Sequence, residues 1–215
     1  MKIETGRTLC RSLLMLLLLA SALFTFAGGG QESQAVPSER AQTQVESGET
    51  GDEPALDETT VALLEGMGVL PLESRVQSEN FSLPALDVET LSLTEALGQV
   101  VLVNFWGTWC PPCREEMPSM QILYDEFAES GLEMLAVNVL ESREVAAAFI
   151  DEFGFTYPVL LDRDGRVGLT YGVRGYPTTY IIDREGFIIG VKMGFHDWST
   201  PEVLENMRAL LEQGA

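Results

Sequence analysis

The run VVLVNFW, Val100 to Trp106, constrains the fold more than any other segment. Seven uncharged, mostly β-branched or aromatic residues read as a strand buried on both faces. Beyond Trp106, helical and strand patterns alternate. Cys110 to Ser130 carries Met117, Met120, Leu123, Tyr124 and Phe127 three or four apart, the spacing of an amphipathic helix that Gly131 stops. Leu132 to Leu140 is a second buried strand, Arg143 to Phe153 a second helix with Val145, Phe149 and Ile150 on one face, and Tyr157 to Leu161 a short strand. After a turn at Asp164-Gly165 and a single helical turn over Val167–Tyr171, strands at Thr178–Asp183 and Phe187–Met193 flank the hairpin loop Arg184-Glu185-Gly186. Ser199 or Thr200 caps a last helix with Pro201 in its first turn. The order β-α-β-α-β implies parallel strands with right-handed crossovers, and the hairpin adds an antiparallel edge. The expected class is α/β: one mixed central sheet with helices on both faces. Upstream, Phe81 to Leu93 reads as an added N-terminal β-hairpin turning at Asp87 to Glu89. Thr94 to Gly98 reads as one helical turn and Thr59 to Gly68 as a short helix.

The first 27 residues differ in kind. Lys2, Arg7 and Arg11 precede an apolar run from Leu13 to Ala27, too short for an ordinary membrane span and suited to the core of a signal peptide. Thr25-Phe26-Ala27 offers a cleavage site, and an uncleaved anchor is the alternative. Residues 28–58, rich in Gln, Ser, Glu and Gly, are expected to be a disordered acidic spacer. Residues 59–80 form an N-terminal extension, and 81–215 the folded domain. The formal charge of −20 leaves no basic face for nucleic acid. Export, to the periplasm or another extracytoplasmic compartment, would place the remaining thiols where disulfides persist.

Those thiols are Cys110 and Cys113 in NFWGTWCPPCREEMP, since Cys10 lies ahead of the apolar run and would leave with the signal. A structural metal site needs four ligands, and the rest of the chain offers these two cysteines and one histidine, His196. No metal site is expected. Copper held by Cys110, Cys113 and His196, in a copper-delivery protein, stays as a rival. A four-residue loop also gains little from a staple. Chemistry suits the pair better. Cys110 falls at a helix N-terminus, which favours a thiolate nucleophile. Cys113, one turn on, can resolve a mixed disulfide. Pro111 and Pro112 lack the N–H groups that would steady the Cys110 thiolate, which points to a reductant over a strong oxidant. No cofactor beyond the cysteine pair is called for. Glu115 and Glu116 read as a solvated helix face.

VNFWGTWCPPCREEMP and the later YGVRGYPTTYIID together resemble the thioredoxin superfamily, closest to the extracytoplasmic branch typified by TlpA and ResA. The resemblance covers about Phe81 to Leu211. It implies a thioredoxin-like fold and an exported thiol–disulfide oxidoreductase. It implies a cis Pro177 beside the cysteines, with Tyr176 hydrogen-bonding a bound substrate strand, and Trp109, Pro111 and Pro112 shaping the docking surface; Trp106 reads as core. Thioredoxin keeps a buried aspartate where this chain has Asn104, which cannot shuttle a proton. The resemblance therefore points to Glu141, after the second core strand, as the acid/base for Cys113. Implied partners are disulfides of exported proteins, apocytochrome c among them in cytochrome c maturation, and a membrane thiol-electron donor of the CcdA or DsbD kind. An oxidising disulfide donor or isomerase uses the same residues and stays open. A peroxiredoxin-like peroxidase needs a threonine three residues before its cysteine, and Gly107 stands there. His196 and Trp198, in GFHDWSTPE, have no assigned role, and His196 reads as a surface residue.

Overall fold

The computed structural model describes residues 55–213. The expectations for residues 1–27, and for the spacer up to residue 54, lie outside the described residues. Asp57 and Glu58, placed in that spacer, belong to ordered structure. The Asp57 side chain accepts from the Thr60 N–H and caps α1 (Glu58–Gly66).

The central strand β4 (Val100–Trp106) is buried at every position. Helix α3 (Pro111–Phe127) crosses from it to β5 (Leu132–Val139), parallel to β4 with Val100 opposite Leu132. Helix α4 (Arg143–Phe153) crosses to β6 (Val159–Asp162), parallel to β5. The hairpin strands β7 (Thr178–Ile182) and β8 (Phe187–Met193) continue the sheet on the other side of β4, with β7 antiparallel to it. A short α5 (Arg166–Thr170) precedes them, and α6 (Pro201–Glu212), capped by Thr200, closes the chain. The hairpin β2 (Ser82–Pro84) and β3 (Thr90–Ser92) forms as expected, followed by α2 (Leu93–Ala96).

One strand is not foreshadowed by the sequence pattern. Leu70–Gln77, inside the N-terminal extension, is β1, antiparallel to β8. The six-stranded order is β1-β8-β7-β4-β5-β6, so the hairpin is not the edge. The strand LPLESRVQ carries a proline and two charges, its register slips between Pro71 and Val76, and no residue in it is fully buried. Such a strand has the chemistry of an edge and lacks a hydrophobic period.

The sheet separates two apolar layers. Val100, Leu102 and Trp106 of β4 face one layer with Met117, Met120, Leu123 and Phe127 of α3, and with Trp198 and Met207. Val101, Val103 and Phe105 face the other, under the β2–β3 hairpin and α5. The alternation along β4 therefore directs residue 104 to the α3 side.

Candidate active site

Helix α3 begins at the cysteines because the chain gives it a cap and two prolines. Cys110 is the N-cap, and Pro111 and Pro112 occupy the first positions, where a missing N–H costs nothing. The first free amide is that of Cys113, which donates to Cys110 Sγ at 3.3 Å. Cys110 and Cys113 are joined in a disulfide with Cα atoms 5.3 Å apart, and both side chains are buried. Pro111 is exposed and Pro112 half-buried at the lip of the site.

The Tyr176–Pro177 peptide is cis, and Tyr176 packs against the apolar cluster that holds both cysteines. Trp109 lies half-exposed and edge-on to Tyr176, ring centroids 5.3 Å apart. A shallow groove of about 270 Å³ runs along Arg174, Gly175, Tyr176, Pro177 and Met193. The structure thus sets Tyr176, which precedes the cis-proline, against Trp109, the residue before Cys110. Trp106 is buried in the core below.

The two glutamates after the motif part company, which corrects the expectation of one solvated face. Glu115 is exposed, whereas Glu116 is 1% exposed. Glu116 lies three residues after Cys113, on the same face of α3. Its Oε1 accepts from Asn104 Nδ2 at 2.9 Å, and its Oε2 accepts from the backbone N–H of His196 at 3.0 Å. Burial pushes its carboxyl up to about 7, against the pull of these two donors and of the Lys192 ammonium. The Trp198 indole N–H also steadies the carboxylate, yet it is buried without reaching hydrogen-bond geometry to any partner.

Asn104 completes the arrangement. Nδ2 donates a second bond, 2.8 Å, to Thr179 Oγ1. The two residues are direct neighbours across the β4–β7 ladder, and both are buried. The amide on β4 thus hydrogen-bonds a carboxylate presented by α3.

The segment after β8 binds the same turn of α3. The His196 backbone N–H reaches Glu116, the Trp198 backbone N–H donates to Ser119 Oγ at 3.0 Å, and the Ser119 hydroxyl donates to the Glu116 carbonyl at 2.7 Å. Trp198 is completely buried, with His196 edge-on to it at 4.7 Å. His196 is half-buried, contrary to the surface reading, and burial, with Lys192 nearby, holds its imidazole below the usual histidine range. Among the described residues no three His, Cys, Asp or Glu side chains gather as metal ligands.

Glu141 sits elsewhere in the site. Leu140 adopts a left-handed conformation, φ 60°, uncommon outside glycine, and turns the chain back after β5. The half-buried Glu141 carboxylate then accepts from the Thr108 N–H at 2.8 Å, from the Thr108 hydroxyl, and from Asn138 Nδ2 at 2.7 Å. It braces the loop that carries Trp109 and Cys110.

The AhpC/TSA family model matches residues 76–191, more than half of the chain. A thiol-disulfide oxidoreductase ResA from Halalkalibacterium halodurans is 39% identical over 139 residues, 65% of this chain and 77% of that protein. Among solved structures, a thiol:disulfide interchange protein described as DsbE, from Chlorobium tepidum, superposes with a TM-score of 0.60 at 28% identity. That match covers 65% of this chain and 99% of the other. StoA from Bacillus subtilis gives 0.52 at 26% identity over 61% and 95% of the two chains. The chain belongs to the AhpC/TSA family and is a thiol–disulfide oxidoreductase of thioredoxin fold.

Proposed function

We propose that this oxidoreductase reduces disulfides of exported proteins through Cys110 and Cys113, with Glu116 accepting the proton of Cys113. The observation that carries the reading is the buried Glu116, one helical turn beyond Cys113, with a carboxyl pushed up to about 7. An acid with that proton affinity is matched to proton transfer near neutral pH.

The Cys110 thiolate attacks one sulfur of the substrate disulfide, forming a mixed disulfide and releasing the first substrate thiolate, which takes a proton from water. Cys113 gives its proton to Glu116 as its sulfur attacks Cys110 Sγ. The enzyme disulfide forms, and the second substrate sulfur leaves as a thiolate that Glu116 or water protonates. Two electrons pass to the substrate, and two thiols leave. Glu116 suits the proton step better than Glu141, whose oxygens are committed to Thr108 and Asn138. Trp109, Tyr176 and Pro177 form the surface on which the substrate strand docks, with Pro111 and Pro112 at its lip.

Two prolines at the helix start leave the Cys113 amide as the first backbone donor near Cys110 Sγ, which supports a reducing couple. Apocytochrome c is the family example of a substrate, and a membrane thiol-electron donor of the CcdA or DsbD kind would return the enzyme to its dithiol. Both fit an extracytoplasmic location behind the N-terminal signal or anchor. The test is the potential of the Cys110–Cys113 couple, set against glutathione and dithiothreitol buffers at pH 7. A value near that of thioredoxin, about −270 mV, is expected; one near the strong donors, about −120 mV, would replace reduction with oxidation.

A further inference from the structure

Taking up a proton sets Glu116 a geometric problem. In the structure both carboxylate oxygens accept hydrogen bonds, one from the His196 backbone and one from Asn104. A protonated carboxyl must turn one oxygen into a donor. The backbone N–H of His196 cannot reverse, so Oε2 remains an acceptor and the proton belongs on Oε1. That oxygen then meets Asn104 Nδ2, donor against donor, in a site closed to water. Unpaired polar groups there would cost about 1–3 kcal/mol each.

Asn104 has the chemistry to resolve the conflict, because its amide carries a donor at one end and an acceptor at the other. Turning the amide over puts Oδ1 where Nδ2 was. The second partner must reverse too, and Thr179 offers a hydroxyl, which accepts or donates by rotation. We infer that Asn104 and Thr179 form a reversible hydrogen-bond relay that follows the proton on Glu116. Around the ionised acid, Asn104 Nδ2 donates to Glu116 and to Thr179. Around the neutral acid, Asn104 Oδ1 accepts from the Glu116 O–H and from the Thr179 O–H. Asn104 and Thr179 are positioning residues: neither meets the substrate, and together they keep the acid satisfied in both states of its cycle. The relay also ties the acid to the docking surface, because Thr179 stands two residues beyond Pro177 on β7.

The inference rests on Glu116 as the proton acceptor. Other groups face the same carboxyl: Lys192 from β8, His196 from the loop after it, Tyr157 from the segment before β6, and Cys113 on α3 itself. Tyr157, whose hydroxyl burial holds well above its usual range, stays neutral. Lys192 is common to both states, Cys113 is silent while the disulfide is intact, and His196 can be followed by its own ring signals.

The test is an NMR titration of the full chain, oxidised, from pH 5 to 9, reading the Glu116 carboxyl carbon and the Asn104 side-chain amide. Both Asn104 amide protons should change environment with the midpoint of Glu116. Thr179→Val should move that midpoint, and Thr179→Ser, which keeps a hydroxyl, should restore it. Asn104→Leu should raise it by about one unit, tenfold in proton affinity, because a charge-assisted donor is lost. If that variant does not fold, the Val and Ser pair at 179 decides. Amide signals unmoved across the Glu116 titration, or Val and Ser variants that titrate alike, would overturn the relay. Moving amide signals in a protein whose Glu116→Gln variant keeps the wild-type pH profile of exchange would uphold it and remove the acid role alone.

Discussion

Glu116→Gln should make the oxidised protein more stable at pH 8 while leaving it nearly unchanged at pH 4.5. Folding lifts the Glu116 carboxyl from an ordinary 4.5 to about 7. Between those values the native state still holds the proton and the unfolded state has lost it. Stability therefore falls as pH rises through the window, the reverse of a salt-bridged carboxylate. At 1.36 kcal/mol per unit, the accumulated loss is about 3 kcal/mol by pH 7.5. Glutamine is neutral throughout, keeps an acceptor for the His196 N–H, and is satisfied at Asn104 once that amide turns over. The difference between variant and wild type should open from near zero at pH 4.5 to about 3 kcal/mol at pH 8, roughly 6–12 °C in Tm for a domain this size. Urea unfolding of both proteins over pH 4–9, with the disulfide intact, measures it. Other shifted groups, such as Glu133 and Asp183, cancel in the difference. A difference that does not vary with pH would refute the buried, high-affinity acid, and with it the reason for choosing Glu116.

The site carries three further expected outcomes. Cys113→Ser should accumulate mixed disulfides through Cys110, visible as a shift on non-reducing gels that dithiothreitol reverses; the absence of adducts with a reducible protein disulfide would reassign the nucleophile. Glu141→Gln cannot accept all three of its hydrogen bonds, so it should lose about 1–2 kcal/mol of stability while the pH profile of exchange stays put. A displaced profile would return the acid role to Glu141. Trp109→Ala should raise KM for a protein disulfide several-fold and leave the potential of the couple unchanged, because the ring is half-exposed and packs edge-on to Tyr176; a shifted potential would count against a docking role.

The central fold is legible in the sequence because it is written in period. Val100–Trp106, Arg143–Phe153 and Phe187–Met193 have the bounds that pattern alone suggests. Strand β1 is not legible, because its pairing with β8 comes from backbone and its side chains are those of an exposed edge. The acid is legible and easily misread. Counting back from Phe127, Leu123 and Met120 along the apolar face of α3 lands on Glu116, so helical geometry places a carboxylate in the core beside Cys113. A glutamate next to another glutamate looks like a solvated pair, and that local view hides the period. Asn104 looks like the loss of an acid only when one residue is compared with one residue. In the folded chain the buried carboxylate stands on the helix, and the amide on β4 hydrogen-bonds it directly. The GFHDW segment gives no chemical signal because its contribution is a backbone N–H, delivered to Glu116 by the burial of Trp198 two residues later. An asparagine at 104 and a glutamate at 116 are thus one feature: an aspartate at 104 would set two carboxylates against each other in a closed site, and an alanine at 116 would leave the amide without its acceptor.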